Sequence, residues 1–154
     1  MTKLRYFEDL QIGQKFASPS LRIDTEAIKS FAAEFDPQPF HLDDKARHSV
    51  FAGLAASGWH TAAVSMRLCL SSDFRPAGSI LGTGGELIWS KPVRPGDALR
   101  VEIEVIETRP SRSRPEQGVV KVRITTLNQH GETVQTFSPT LLVDRRPDSV
   151  LGQR

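Results

Sequence analysis

Residues 57–70 read SGWHTAAVSMRLCL, and this stretch decides which fold the rest of the chain can build. It is rich in alanine and leucine, carries apolar side chains on nearly every side of a helix, and contains no Asp or Glu. A helix that is apolar all round is normally buried. Ser57 stands where a residue that caps the first turn is expected. The stretch therefore predicts a buried helix around which the other elements must pack.

The second half of the chain reads as strands that cover this helix. Apolar and charged residues alternate with period two over 101–105 and 120–124, as expected of a sheet with one covered face and one wet face. Two more strands are predicted at 133–143 and around 87–91, each next to residues typical of turns. These elements predict an α+β fold in which an antiparallel sheet lies against one buried helix.

A glycine run, GTGG at 82–85, precedes the strand predicted around Leu87. It lacks the Gly-Lys-Ser/Thr ending that a phosphate-binding loop requires. We therefore interpret the run as a turn that leads into the strand.

Length and composition are typical of a single globular domain. The 154 residues carry a net charge of +2, so nothing indicates a nucleic-acid partner. Cys69 is the only cysteine, which excludes an intramolecular disulfide and a cysteine-based zinc site and suits a reducing, cytoplasmic setting. We predict one domain over 1–144 and a loosely held tail over 145–154, which has no periodicity.

Neither the N-terminus nor the longest uncharged stretch indicates a membrane segment. Residues 1–9 mix charges of both signs without the apolar region of a signal peptide. The longest uncharged stretch, 49–66, is interrupted by glycine, serine, threonine and histidine. We therefore expect no transmembrane span.

A first, shorter helix leads into a segment that carries chemistry. From Asp24, a suitable N-cap, apolar residues recur at helical spacing until Asp36 meets Pro37. The prolines of the following run, DPQPFH at 36–41, force Asp36 and Gln38 out of helical conformation. The segment thus carries a carboxylate and the imidazole of His41 on irregular backbone.

Spacing alone does not bring these two groups together. In an extended chain, five steps would separate the backbones of Asp36 and His41 by roughly 17 Å, so the segment must turn. If it turns, a carboxylate and an imidazole can share one water and move its protons. The alternative is that Asp36 caps a turn while His41 bonds a backbone carbonyl.

The entry to the buried helix is the second candidate. Gly58 lies in the first turn, where free N–H groups and the positive end of the helix dipole can hold a developing oxyanion. A glycine also lets a substrate carbonyl approach closely. The alternative is that Gly58 only permits tight packing, and His60, further into the helix, is interpreted as a packing residue.

Read together, four segments resemble the MaoC-like dehydratases, relatives of the (R)-specific enoyl-CoA hydratases. They are DPQPFH at 36–41, GLAASGWHT at 53–61, PVRPGD at 92–97 and FEDLQIG at 7–13, the last of which looks like the family's first strand and turn. The resemblance implies a hotdog fold, with an antiparallel sheet wrapped around a long central helix. It also implies a homodimer, or a higher homo-oligomer, with acyl tunnels near the interface.

The resemblance assigns roles residue by residue. It implies that Asp36 and His41 form the catalytic dyad and that the backbone N–H of Gly58 is the oxyanion donor. Gln38 stands where the family usually has asparagine, which adds one methylene to a side chain that shapes the segment. Ser57 and Trp59, beside Gly58, are expected to line the substrate site together with Gln38.

The implied activity is reversible hydration of a trans-2-enoyl thioester, carried by coenzyme A or an acyl carrier protein, without a cofactor or a metal. Arg109, Arg112 and Arg114 could hold coenzyme A phosphates, or simply lie on a solvated hairpin. Trp59 and Trp89 are also suited to core or dimer contacts.

Two other functions fit the same sequence. Hotdog thioesterases often place a carboxylate on the central helix, and the absence of one here disfavours thioester hydrolysis. Gln38 keeps open a non-catalytic acyl-binding subunit, because a drifted motif can keep the pocket and lose the reaction.

Overall fold

The structure is a computed structural model that describes residues 3–46 and 48–148. After a short 3₁₀ helix at Phe7–Asp9, three helices and six strands follow one another in these residues. In chain order they are β1 Lys15–Ala17, β2 Leu21–Arg22, α1 Thr25–Phe35, α2 Pro39–Leu42, α3 Gly58–Ser71, β3 Leu81–Trp89, β4 Ala98–Pro110, β5 Gln117–Leu127 and β6 Thr133–Asp144.

The strands form one antiparallel sheet in the order β1-β4-β5-β6-β3, with β2 paired to β4 beside this path. The alternation seen in the sequence sets the two faces, since Val101, Ile103 and Val105 are buried and their neighbours are not. Helix α3 packs on the covered face. The predicted hotdog arrangement is thus confirmed.

Helix α1 begins and ends where its sequence predicts. The Asp24 carboxylate accepts a hydrogen bond from the Ala27 N–H at 2.7 Å, so it caps the helix. The helix ends at Phe35 because the next residue, Asp36, precedes a proline. Its apolar side is anchored by Ile28, which is completely buried. This packing fixes where the end of α1, and with it Asp36, lies.

The glycine run at 82–85 is not the predicted turn. These residues belong to β3, which pairs with β6 and is irregular between Gly82 and Gly84. A Cβ at Gly85 would lie 2.7 Å from Pro139 Cα, so glycine is needed there for β6 to approach. The sequence signal for a turn therefore marks a β-bulge in an edge strand.

The expected first strand at 7–13 is also wrong. Phe7–Asp9 forms a 3₁₀ helix, closed by a bond from the Tyr6 N–H to the Asp9 carboxylate, and β1 starts only at Lys15. The turn before β1 is present, with Gly13 at a φ of 89°.

Helix α3 is less buried than its composition predicts. The side that faces the sheet is covered, but Trp59, Met66 and Leu70 on the other side are 61%, 41% and 56% exposed in the single chain. The exposed side is apolar, so the helix presents a surface that water disfavours. Among the described residues, no helix is both long enough and apolar enough to cross a membrane.

The predicted tail, 145–154, is described only in part. Its first residue, Arg145, bonds the Glu8 carboxylate at 3.0 Å, and Arg146 bonds Asp9. Residues 149–154 lie outside the described residues, so the boundary of the domain stays a prediction.

Candidate active site

The segment between α1 and α3 turns and brings Asp36 and His41 together. The Gln38 N–H donates to the Asp36 carbonyl at 2.7 Å, and Pro39 then opens the one-turn helix α2. As a result, His41 Nε2 lies 3.3 Å from Asp36 Oδ2. One expectation is corrected, since His41 stands on a short helix and not on irregular backbone.

His41 is fixed in one tautomer. Its Nδ1 lies 2.6 Å from the backbone carbonyl of Ala55 in an environment that leaves 4% of the residue exposed. A carbonyl oxygen only accepts, so Nδ1 carries a proton and donates it. In the neutral ring the lone pair is therefore on Nε2, the nitrogen that faces Asp36.

Asp36 is held as a carboxylate by its donors. Gln38 Nε2 donates to Oδ1 at 2.6 Å, and Ser57 Oγ donates to Oδ2 at 2.7 Å. Burial raises the pKa of Asp36, but the hydrogen bonds from Gln38 and Ser57 and the nearby His41 together lower it below its usual value. The site thus combines a stable carboxylate with an imidazole that can accept a proton.

Ser57 does not do what its position predicts. It is the N-cap residue of α3, yet its side chain makes no capping bond and is turned toward Asp36. The hydroxyl is completely buried with that carboxylate as its acceptor. A serine at this position has two uses, and only the tertiary proximity of Asp36 selects between them.

Gly58 combines both readings of its sequence position. The N–H of Gly58 has no hydrogen-bond acceptor in the described part of the chain, as expected in a first helical turn. A Cβ at this position would lie 2.5 Å from Trp89 Cε2, so the glycine makes room for the indole. The tight packing is real, and the free N–H remains beside it.

Two cavities border helix α3. A cleft of about 290 Å³ is bordered by His41, Gly58, Thr61 and Trp89. A second cavity of about 300 Å³ lies between α3 and strands β3, β5 and β6. Its walls are mostly apolar side chains, with polar groups from Ser65 and Gln135: Trp59, Ala62, Ser65, Met66, Cys69, Ile80, Gly82, Leu87, Ile124, Gln135, Phe137, Pro139 and Leu141.

Arg94 supports the loop that holds His41, a role the sequence analysis missed. Its guanidinium donates to the carbonyl of Leu54 at 3.2 Å and to the carbonyl of Phe51. The centroid of the Phe51 ring lies 5.9 Å from that of the His41 ring. Leu54 directly precedes Ala55, whose carbonyl is bonded to His41 Nδ1. A sequence does not show which backbone carbonyls will accept hydrogen bonds, so only the PVRPGD motif, which contains Arg94, could have drawn attention to this residue.

The other predicted residues are placed less closely. Gln38 touches Asp36 through its amide and is exposed. Trp59 borders the apolar cavity and meets Trp89 edge to face, with ring centroids 5.1 Å apart.

The arginines of the β4–β5 hairpin lie apart from the cleft. Arg109, Arg112 and Arg114 are exposed, and none of them borders the cleft beside His41. Their contact with coenzyme A phosphates stays a prediction.

His60 is buried but does not join the dyad. Its ring stacks on Phe31 with centroids 4.7 Å apart, and its Nδ1 has no hydrogen-bond partner in the described residues. Burial lowers the pKa of His60. In residues 3–46 and 48–148, no three His, Cys, Asp or Glu side chains are grouped so that they could hold a metal ion.

Comparison with known proteins gives consistent results. A sequence model described as MaoC like domain matches residues 8–128. Uncharacterized protein YdeM of Bacillus subtilis (strain 168) is 37% identical over 138 residues, which cover 88% of this chain and 95% of YdeM. The crystal structure of a MaoC-like dehydratase from Rhodospirillum rubrum has 53% identity and a TM-score of 0.90, and the match covers 93% of this chain and 99% of that one. The unliganded R-hydratase PhaJ1 from Pseudomonas aeruginosa has 26% identity and a TM-score of 0.74, over 92% of this chain and 86% of that one.

Proposed function

Because the chain belongs to the MaoC-like dehydratase family, we propose that it reversibly adds water to a trans-2-enoyl thioester, giving the (R)-3-hydroxyacyl thioester. The observation that carries this proposal is the 3.3 Å separation of His41 Nε2 and Asp36 Oδ2, together with the cleft that His41 borders. Two adjacent proton acceptors can together bind one water through its two O–H groups. The substrate would be a thioester of coenzyme A or of an acyl carrier protein.

The proposed reaction moves one proton through His41. As the water oxygen bonds to C3 of the acyl group, Nε2 takes a water proton and becomes part of an imidazolium. The electrons of the C2=C3 double bond shift toward C1, and the thioester oxygen becomes an enolate. The imidazolium, stabilised by the neighbouring Asp36 carboxylate, returns its proton to C2. One water is added, and no group is oxidised or reduced.

The enolate charge needs a partner at the other side of the cleft. The free N–H of Gly58, at the positive end of the α3 dipole, is the proposed donor. Removing one donor of this kind typically slows a reaction by about 10² to 10³. Gly58 acts through its backbone, so a substitution would not remove the N–H. A larger residue at this position would instead disturb the Trp89 ring that packs on Gly58.

The direct test replaces Asp36 by asparagine, which keeps the shape and removes the charge. We expect turnover of crotonyl-CoA, followed by loss of enoyl absorbance, to fall by at least about 10² with an unchanged circular dichroism spectrum. Asp44→Asn is the matched control, because Asp44 lies on the same segment in a surface ion pair with Lys29. A rate near that of the unchanged protein in the Asp36 variant would overturn the proposal.

Two further measurements test the two other functions. Release of free thiol from acyl-CoA without loss of enoyl absorbance would identify a thioesterase, although α3 carries no Asp or Glu. Tight acyl-CoA binding in calorimetry without hydration at high protein concentration would identify a non-catalytic acyl-binding subunit. Either outcome would replace the hydratase proposal.

A homodimer is the second part of the proposal. Strand β3 is an edge of the sheet, nine residues long and exposed along most of its length. Long exposed edge strands pair readily with another chain. The adjoining apolar side chains of α3 and β3 are exposed in the single chain: Trp59, Met66, Leu70, Leu81, Ile88 and Trp89. A second copy that pairs along β3 would cover both the strand edge and these apolar side chains.

Light scattering after size-exclusion chromatography tests the dimer. We expect twice the chain mass for the unchanged protein and a shift toward one chain for Ile88→Lys, which places a charge on the exposed edge. Lys15→Ala on the opposite edge strand, β1, is the control and should leave the mass unchanged. A folded single chain in all three proteins would contradict the dimer.

A further inference from the structure

We propose that Trp89 is the wall that ends the acyl site, so that the protein selects short acyl chains. This inference rests on the proposed function and specifies its substrate. The volumes of the cleft and of the apolar cavity are each near the lower end of the range of small-ligand pockets, roughly 300 to 1,000 Å³. Joined, they would accept a longer acyl chain, and the residue between them therefore determines chain length.

Trp89 borders the cleft and contacts two residues that border the apolar cavity. The indole borders the cleft beside His41 and covers Gly58. Its other neighbours, Trp59 and Gln135, border the apolar cavity. An acyl chain whose thioester lies beside Gly58 therefore meets the indole before it reaches the cavity.

The indole is fixed by a chain of hydrogen bonds. Trp89 Nε1 donates to Gln135 Oε1 at 3.0 Å, and Gln135 Nε2 donates to Ser65 Oγ at 3.2 Å. Ser65 Oγ in turn lies 2.6 Å from Thr126 Oγ1 and donates to the Thr61 carbonyl. Swinging the ring aside would leave the Gln135 carbonyl oxygen unpaired, and an unpaired buried acceptor is costly.

The cavity behind the wall is chemically suited to an acyl chain. Met66, Leu87, Phe137 and Leu141 give it mainly apolar walls. A hydrocarbon chain would gain favourable burial there, so exclusion by Trp89 is what limits chain length, rather than any polarity of the cavity. Shortening the Trp89 side chain should open this space.

A panel of trans-2-enoyl-CoA substrates with four, six and eight acyl carbons tests the inference. For the unchanged protein we expect kcat/KM to fall at least tenfold from four to eight carbons, in line with the 10- to 200-fold effect of a methylene in a fitted pocket. Trp89→Ala should raise the ratio of eight- to four-carbon kcat/KM at least tenfold. Trp89→Phe keeps a ring but removes the N–H, and should give an intermediate ratio.

Leu81→Ala is the matched control. It lies on the same exposed strand, borders neither space, and should leave the chain-length ratio unchanged. An unchanged protein that hydrates four- and eight-carbon substrates equally well would overturn the inference, as would an unchanged ratio in a folded Trp89 variant.

Calorimetry with saturated butyryl-CoA and octanoyl-CoA separates this inference from the proposed function. We expect the unchanged protein to bind butyryl-CoA more tightly and Trp89→Ala to reverse the preference. If the preference reverses but no protein hydrates any enoyl-CoA, the role of Trp89 in chain-length selection is supported and the hydratase proposal is contradicted. If hydration is observed and the binding preference does not depend on residue 89, only the inference about Trp89 is contradicted. If Trp89→Ala does not fold, Trp89→Phe and Trp89→Leu carry the same comparison.

Discussion

His41 and His60 are almost equally buried, with 4% and 8% of their surface exposed, but their surroundings differ. His41 has Nδ1 on a carbonyl and Nε2 beside a carboxylate. His60 is stacked on Phe31, and its Nδ1 has no hydrogen-bond partner in the described residues. Burial therefore does not distinguish the histidine that we propose as the base from the one that packs. The polar partners do, because they fix the tautomer and stabilise the charge that forms during proton transfer.

Substituting His41 should lower turnover strongly and substituting His60 should not, and the loss at His41 is the largest effect we expect. His41→Gln should lower turnover of crotonyl-CoA by at least about 10² because the base is lost. His60→Phe keeps a ring to stack on Phe31 and should leave turnover within about threefold, since no step of the proposed reaction uses its nitrogens. Steady-state kinetics at pH 7.5 measure both, and a His60 variant as inactive as the His41 variant would break the comparison.

The sequence could predict the dyad only through resemblance to a family. The prolines predict that 36–41 leaves helical conformation, but spacing alone leaves Asp36 and His41 roughly 17 Å apart in an extended chain. What joins them is the sharp turn at Asp36 and the single turn of α2, whose position depends on the packing of α1. Helix α1 and strands β4, β5 and β6 were predictable because the cap of the helix and the periodicity of the strands are local.

Other features could not be predicted because two local readings were equally good. Ser57 fits a capping residue, and only the fold brings Asp36 within 2.7 Å of its hydroxyl. The glycine run at 82–85 fits a turn, and only the approach of β6 shows why an edge strand needs glycine there. The bonds of Arg94 to backbone carbonyls about forty residues away involve acceptors that every sequence contains.

The next effect concerns how the surroundings of His41 are held in place. Arg94→Met keeps the apolar stem and removes both bonds to the loop before Ala55. We expect kcat to fall between about ten- and a hundredfold, because a small displacement of a catalytic group is costly, with KM less affected.

Two variants control the Arg94 experiment. Arg94→Lys should restore part of kcat, because an ammonium group can still bond one carbonyl. Arg100→Met removes a partly exposed arginine paired with Glu102 and should change neither constant. If Arg94→Met raised KM alone, the loop would be serving substrate binding and not the orientation of His41.

A smaller effect is expected from Ser57→Ala, which removes one donor from the Asp36 carboxylate. Hydrogen bonds help to lower the pKa of Asp36, so losing one should raise that pKa and make the carboxylate accept protons at higher pH. The acid limb of kcat/KM should therefore move to higher pH. At neutral pH the loss should not exceed about tenfold. A pH profile identical to that of the unchanged protein would mean that Ser57 does not tune the pair.

The smallest expected effect is on stability, and it comes from His60. Burial lowers the pKa of His60 in the folded protein, whereas the unfolded chain keeps the ordinary value of about 6.5. Below that value the unfolded chain binds more protons, so the stability that neutral His60 provides is present above about pH 6.5 and is lost as the pH falls toward the folded pKa. His60→Phe removes this loss. The difference in free energy of unfolding between the variant and the unchanged protein, measured by urea titration, should therefore shift in favour of the variant from pH 7.5 to pH 5. A difference that is constant over this range would show that His60 accepts a proton equally well in both states, and the contrast with His41 would then rest on catalysis alone.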